Sequence, residues 1–253
     1  MSDASTFELG DLVLKSGQTL KEAKVVYQTY GELDEQRSNV IVYPTSFGAQ
    51  HTDIEWLIGE GRILDSSKYF IVIPNMFTNG LSSSPSNTPF PYDLGRFPLV
   101  SIHDNVHAQA RLLKEVYEVQ RLQMVYGWSM GGQQAYHWGA LYPDLVERIC
   151  VVCSSARTAA HNQVFLEGVM AALTADSAYR DGWFWEVPHR GLRAMARVYA
   201  GWALSQRFYR QNLWEKAGYS SLEDYFVGDW ERNFRRRDAN DLLAQLRTWS
   251  ACD

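Results

Sequence analysis

The sequence predicts an α/β fold: a mostly parallel sheet with helices on both faces, topped by a helical lid. Three observations carry this. Short β-branched or aromatic runs recur through the first 153 residues, helical apolar stripes lie between them, and strand-like runs stop after Cys153. Strands alternating with helices wind into a parallel sheet through right-handed crossovers.

The strand candidates, in order, are Lys24–Tyr30, Val40–Tyr43, Tyr69–Ile73, Met124–Tyr126 and Ile149–Cys153. The later runs are continuously apolar rather than alternating, which suits strands covered on both faces. Between them, Asn105–Val119 places Val106, Ala110, Leu113 and Tyr117 on one helical stripe, with Asp104 as the expected N-cap. Gly132–Leu141 is a second helix, closed by Tyr142-Pro143-Asp144. The turn-rich stretch Asn79–Asn87 follows the third strand, on the edge where open α/β sheets bind ligands.

Beyond Ser154 the pattern changes. The last isoleucine is Ile149, and the later valines are scattered. Phe165, Val169, Ala172 and Leu173 form one helical stripe, and Leu192, Met195, Val198 and Tyr199 another. The expected division is a sheet-bearing core over residues 1–153, its final strands absent, and a helical lid over 154–253. The run Arg235-Arg236-Arg237 is expected on a solvated helix face.

Composition excludes some classes. The 253 residues are 46% hydrophobic and carry a net charge of −5, which argues against nucleic acid or an anionic membrane as partner. No apolar run approaches the ~18 residues of a membrane span. Met1–Thr6 have neither the basic start nor the apolar stretch of an export signal, so a cytoplasmic location is expected. Cys150 and Cys153 have C-x-x-C spacing, but i and i+3 on a strand face opposite ways. No metal site is expected, and the cysteines read as small buried hydrophobes.

The chemistry centres on Gly127-Trp128-Ser129-Met130-Gly131, a G-x-S-x-G string between a strand and a helix. A strand turning sharply into a helix at a serine is how an α/β-hydrolase displays its nucleophile. The following helix N-terminus offers free N–H groups to a developing oxyanion. One donor is the backbone N–H of Met130; the second comes from the loop Pro44–Gly48, at Ser46 or Phe47.

A base is harder to find. His137 lies eight residues past Ser129 on the same helix, about 12 Å along its axis. His161 opens the lid near the site mouth and His189 lies in a Trp-rich stretch. His103 and His107 suit cap or surface roles, and His51 suits a wall beside the oxyanion loop. No strand after Ile149–Cys153 presents an acid. The expectation is a truncated chain with a nucleophile and hole but no base or acid, giving little turnover by itself.

Taken together, these stretches resemble the homoserine O-acetyltransferase group of α/β-hydrolases from about Gly17 to Asp253. The matching stretches include Tyr27-Gln28-Thr29-Tyr30-Gly31-Glu32-Leu33, Phe70-Ile71-Val72-Ile73-Pro74-Asn75 and Gly127-Trp128-Ser129-Met130-Gly131-Gly132. Ser155-Ala156-Arg157 and Arg236-Arg237-Asp238-Ala239-Asn240 also match. The resemblance implies ping-pong acyl transfer: Ser129 takes an acyl group from a thioester such as acetyl-CoA and passes it to an alcohol or water. It implies small-molecule substrates, no cofactor and, as is usual among relatives, a homodimer, with the triad Asp and His beyond the lid. Two departures bear on substrate. The family's loop usually reads His-Ala-Leu-Thr-Gly, where this chain has Pro44-Thr45-Ser46-Phe47-Gly48. Met170 stands where the family carries an arginine for the amino-acid carboxylate. Met170 and His161 are the expected substrate-facing lid residues. Acetyl esterases also occur among relatives of the group, and they are the alternative to transfer. A non-catalytic binding protein of the same fold is a third reading.

Overall fold

The computed structural model describes residues 4–253. Met1–Asp3, part of the stretch read for an export signal, lie outside the described residues. The main sheet holds β1 (Ser5–Val13), β2 (Thr19–Tyr30), β3 (Val40–Val42), β4 (Phe70–Pro74), β5 (Leu122–Trp128) and β6 (Ile149–Val152). Their spatial order is β1-β2-β4-β3-β5-β6, with β4, β3, β5 and β6 parallel and β1 and β2 antiparallel. The mostly parallel sheet is as the sequence predicts. β1 is additional: Ser5–Val13 mixes polar residues with Gly10 and pairs β2 across two register shifts, so no simple alternation marks it.

The pleat divides the central strands between two cores. Val40, Val42, Phe70 and Val72 join one apolar cluster with Val106, Leu113, Ala135 and Trp138 of α2 (Ile102–Tyr117) and α3 (Met130–Leu141), whereas Ile41, Tyr43, Ile71 and Ile73 join another. Ile54 of α1 (His51–Ile54) and Leu57, Ile58 and Leu64 complete the second. Alternate side chains of a strand point to opposite faces, so continuous apolar runs signal this double coverage. Each fully buried aliphatic side chain contributes about 1.5–3 kcal/mol.

α2 corrects one expectation. It begins at Ile102, with Ser101 as N-cap. Asp104 is the N3 partner of a capping box, accepting from Ser101 N at 2.8 Å while Ser101 Oγ accepts from Asp104 N at 3.2 Å. Its other oxygen accepts from Lys15 N at 2.7 Å, tying the helix start to the turn after β1.

β6 corrects another. Its run is as apolar as the inner strands, yet Ile149 and Val152 are 39% and 40% exposed, because β6 is the outer strand of the sheet. For the same reason Cys150 is half-buried and Cys153 exposed; of the three cysteines only Cys252 is buried as a small hydrophobe would be.

Residues beyond 154 form α4 (Ala160–Thr174), α5 (His189–Ala203), α6 (Gln206–Arg210), α7 (Leu222–Tyr225), α8 (Arg232–Phe234) and α9 (Ala239–Ser250). A two-residue hairpin, β7 (Tyr179–Arg180) with β8 (Trp183–Phe184), lies between α4 and α5. Phe165, Val169 and Leu173 are buried as expected, as are Leu192 and Met195; Val198 is not, at 40% exposed. The first apolar cluster runs unbroken from the sheet into α4, α5 and α9. α9 returns to the core loops: Thr248 Oγ1 donates to Val100 O at 2.6 Å, and Asp241 accepts from Ser86 N at 2.9 Å and Ser86 Oγ at 2.6 Å.

Candidate active site

The strand order reverses around β3, so the loops leaving β3 and β5 border the crevice where open α/β sheets bind ligands. Val42 pairs with Val125, and Ser46 and Ser129 each stand four residues further along their chains. The two serines therefore occupy equivalent heights on neighbouring loops.

Ser129 has φ 54° and ψ −128°, a conformation costly for a residue with a Cβ. Its N–H donates to Val152 O at 3.0 Å and its carbonyl accepts from Gly132 N at 2.9 Å, so β6 and the first turn of α3 lock the bend from both sides. The glycines are needed on steric grounds. A Cβ on Gly127 would lie 2.1 Å from Gly131 O, and one on Gly131 2.7 Å from Pro44 O. One on Gly132 would lie 2.6 Å from Ser154 Cβ. The result is a half-buried serine whose Oγ makes no hydrogen bond among the described residues, set at a helix N-terminus.

The loop after β3 abuts this bend. Ser46 Oγ donates to Trp128 O at 2.5 Å and accepts from Gly131 N at 3.4 Å. Beneath it runs a buried polar chain. Trp138 Nε1 donates to Gln109 Oε1 at 2.9 Å, Gln109 Nε2 to Gln134 Oε1 at 2.7 Å, and Gln134 Nε2 to Thr45 O at 2.9 Å. The backbone N–H groups of Ser46, Phe47 and Met130 have no acceptor among the described residues. The Phe47 ring stacks on Tyr199 at 5.4 Å and meets Phe234 and Trp249 at 5.9 and 6.0 Å.

No histidine hydrogen-bonds to Ser129 among the described residues. His51 Nδ1 faces Asn75 Nδ2 at 3.0 Å, beside the β3 loop. His103 stacks on His107, whose Nδ1 faces Tyr142 Oη at 3.3 Å. His137 points to Cys252 Sγ at 3.6 Å; burial holds its imidazole below the usual range and pushes the Cys252 thiol up to about 11. His161 is exposed in the first turn of α4, edge-on to Trp202 at 5.0 Å. His189 Nδ1 faces Arg235 at 3.3 Å. Met170 is half-buried on α4 against the main core.

The arginine run departs from expectation. Arg236 and Arg237 both pair with Asp53, and the Arg237 side chain is only 9% exposed. Arg237 Nε also donates to Gly48 O at 2.8 Å. A charge run in sequence says nothing of a partner 184 residues away. Asp241 was likewise not singled out: burial first, then the nearby Asp238, pushes its carboxyl up to about 7.

The alpha/beta hydrolase fold family matches residues 40–209. An ethyl acetate hydrolase from Pseudomonas veronii is 35% identical over 97% of this chain and 71% of its own length. A homoserine O-acetyltransferase from Zymomonas mobilis is 34% identical over 92% of this chain and 70% of its own. The solved structure of the acetyl esterase MekB superposes with a TM-score of 0.96 at 34% identity, covering 100% of this chain and 74% of that one. Among the described residues no helix is long and apolar enough to cross a membrane. A serine bent into a strained strand-to-helix turn, on a sheet of this order, agrees with those likenesses, and the chain belongs to the α/β-hydrolase fold family.

Proposed function

We propose that the chain is a carboxylic-ester hydrolase working through an acetyl-Ser129 intermediate. The observation that carries this is the φ 54°, ψ −128° bend that presents Ser129 Oγ without a hydrogen-bond partner among the described residues. Oγ attacks the ester carbonyl carbon, and the carbonyl π pair moves onto oxygen. The free N–H groups of Met130 and of Ser46 or Phe47 receive that oxyanion. Collapse expels the alkoxide, which takes up a proton, and leaves acetyl-Ser129; water then repeats the attack and releases acetate. The Oγ proton passes to solvent, since no histidine or carboxylate bonds Ser129 among the described residues. Turnover by this chain alone is therefore expected to be slow: a hydrolase lacking a triad member keeps roughly 10³–10⁴-fold over water.

Met170 supports water over an amino-acid acceptor, because a thioether cannot pair a carboxylate. The acetyl-ester relatives support the same choice. Acetyl transfer from acetyl-CoA to an alcohol such as homoserine is the second reading, favoured by the transferase relatives. Incubation with p-nitrophenyl acetate, followed by peptide mass analysis, tests the proposal. The expected result is an acetyl group on the peptide carrying Ser129 and p-nitrophenolate release without acceptor. CoA release from acetyl-CoA that depends on homoserine would support transfer instead, and no acetylated serine at all would leave a non-catalytic protein.

A further inference from the structure

The β3 loop carries its own weak joint. Gly48 has φ +67°, in the left-handed region, and a Cβ there would meet nothing closer than 3.7 Å. Neither crowding nor a side chain fixes its dihedrals. Instead both flanking peptide planes are held from far along the chain. Gly48 N donates to Gln245 Oε1 at 2.8 Å, and Gly48 O accepts from Arg237 Nε at 2.8 Å.

Each holder is itself oriented. Gln245 Nε2 donates to Thr78 O at 2.8 Å, so its amide has a single orientation that satisfies both neighbours. Gln245 is 1% exposed. The other arm of the Arg237 fork binds Asp53, which also accepts from Arg236 at 2.9 Å and from Gln50 N at 2.8 Å. Phe47, next to Gly48, has its ring among Tyr199, Phe234 and Trp249. On its other side the loop is fixed to the elbow through Ser46 Oγ. The free N–H groups of Ser46 and Phe47 therefore sit between an anchored end and an end whose direction depends on residues 237 and 245.

We infer that Arg237 and Gln245 are positioning residues for the oxyanion loop, acting through Gly48 to keep the N–H groups of Ser46 and Phe47 directed at the carbonyl oxygen on Ser129. This rests on the acyl-enzyme reading above. It makes the segment beyond residue 154 part of the catalytic geometry without touching the substrate. Arg237 serves by its fork: one nitrogen holds Asp53 while another holds a carbonyl, which a lysine cannot do in the same way.

The test is single-turnover acetylation of Ser129 by p-nitrophenyl acetate, resolved into the acetylation rate and the substrate affinity, with thermal unfolding alongside. Gln245→Leu and Arg237→Met are expected to slow acetylation about 10- to 100-fold, below the ~10²–10³-fold cost of deleting a hole donor outright. Affinity should stay near that of the unmodified chain, and the variants should stay folded, with a melting temperature lowered by the loss of buried hydrogen bonds. Gln245→Glu keeps an oxygen for Gly48 N–H and, when its carboxyl is protonated, a donor for Thr78 O, so in that form it should recover much of the rate lost in Gln245→Leu. Arg237→Lys should not recover what Arg237→Met loses. Unchanged acetylation in folded Gln245→Leu would overturn the assignment. So would affinity falling in step with rate, or unfolding of both Gln245→Leu and Arg237→Met, since either would mark a purely structural role. Absence of acetyl-Ser129 in the unmodified chain would instead count against the proposed function itself.

Discussion

The two loops that meet at Ser129 are built in opposite ways. The elbow after β5 rests on a short run of glycines: Gly127, Gly131 and Gly132 leave room for its own backbone, Pro44 O and Ser154, while Gly132 and the β6 residue Val152 bond the Ser129 peptide groups. The loop after β3 borrows nearly everything. Thr45 O rests on Gln134, Phe47 on three aromatic rings of the later helices, and Gly48 on Arg237 and Gln245. The bend at Ser129 is thus set largely by a short run of glycines, whereas the loop after β3 is a product of tertiary packing. The proposed nucleophile is marked by a short motif; the proposed place for its oxyanion draws on most of the chain.

That contrast gives expected outcomes. The largest is for Ser129→Gly, which should abolish acetylation completely while stabilising the fold by about 1 kcal/mol, since glycine tolerates the positive φ. Active-site labelling and denaturant melts check the two halves, and an unchanged melt would mean that the bend stores no strain. Next come matched glycine substitutions. Gly127→Ala forces a Cβ against backbone at 2.1 Å and should cost about 3 kcal/mol or more. Gly48→Ala meets only ordinary contacts at 3.7 Å and should cost about 1–2 kcal/mol, from its dihedral alone. Equal losses in urea melts would erase the distinction between the loops.

A pH effect should arise beside the borrowed loop's supports. Asp241 lies one helical turn before Gln245 on α9 and holds Ser86 with a carboxyl raised to about 7. In the unfolded chain it titrates near 4. A raised folded value means the proton is bound more tightly in the fold. The stability it brings is full below about pH 4 and lost as pH rises through 7. Relative to Asp241→Asn, the unmodified chain should lose about 2–4 kcal/mol between pH 4 and pH 8. Paired melts across that range measure it, and parallel curves for the two proteins would refute it.

The same contrast explains what the sequence disclosed. The inner strands were legible because double coverage demands unbroken apolar runs, as in Phe70–Pro74. The elbow was legible because its steric demands fall on residues within five positions. The start of α2 was misplaced because Ser101 and Asp104 cap each other, and only one of them stood beside the apolar stripe. β1 stayed hidden behind its register shifts. Arg237, Gln245 and Asp241 were illegible for one reason: each acts on a partner more than 150 residues away, and spacing in sequence carries no trace of such a pairing.

The outer strand has a colloidal consequence. Among the described residues β6 leaves a row of backbone N–H and C=O groups unpaired beside the half-exposed Ile149 and Val152. At the opposite edge β1 shifts register twice and carries Glu8 and Asp11, features that discourage a second strand from joining. Self-association in concentrated solution should therefore nucleate at β6. A lysine there, as in Val152→Lys, should raise the concentration at which the solution begins to scatter light while leaving the Ser129 bend, which uses only the Val152 carbonyl, in place.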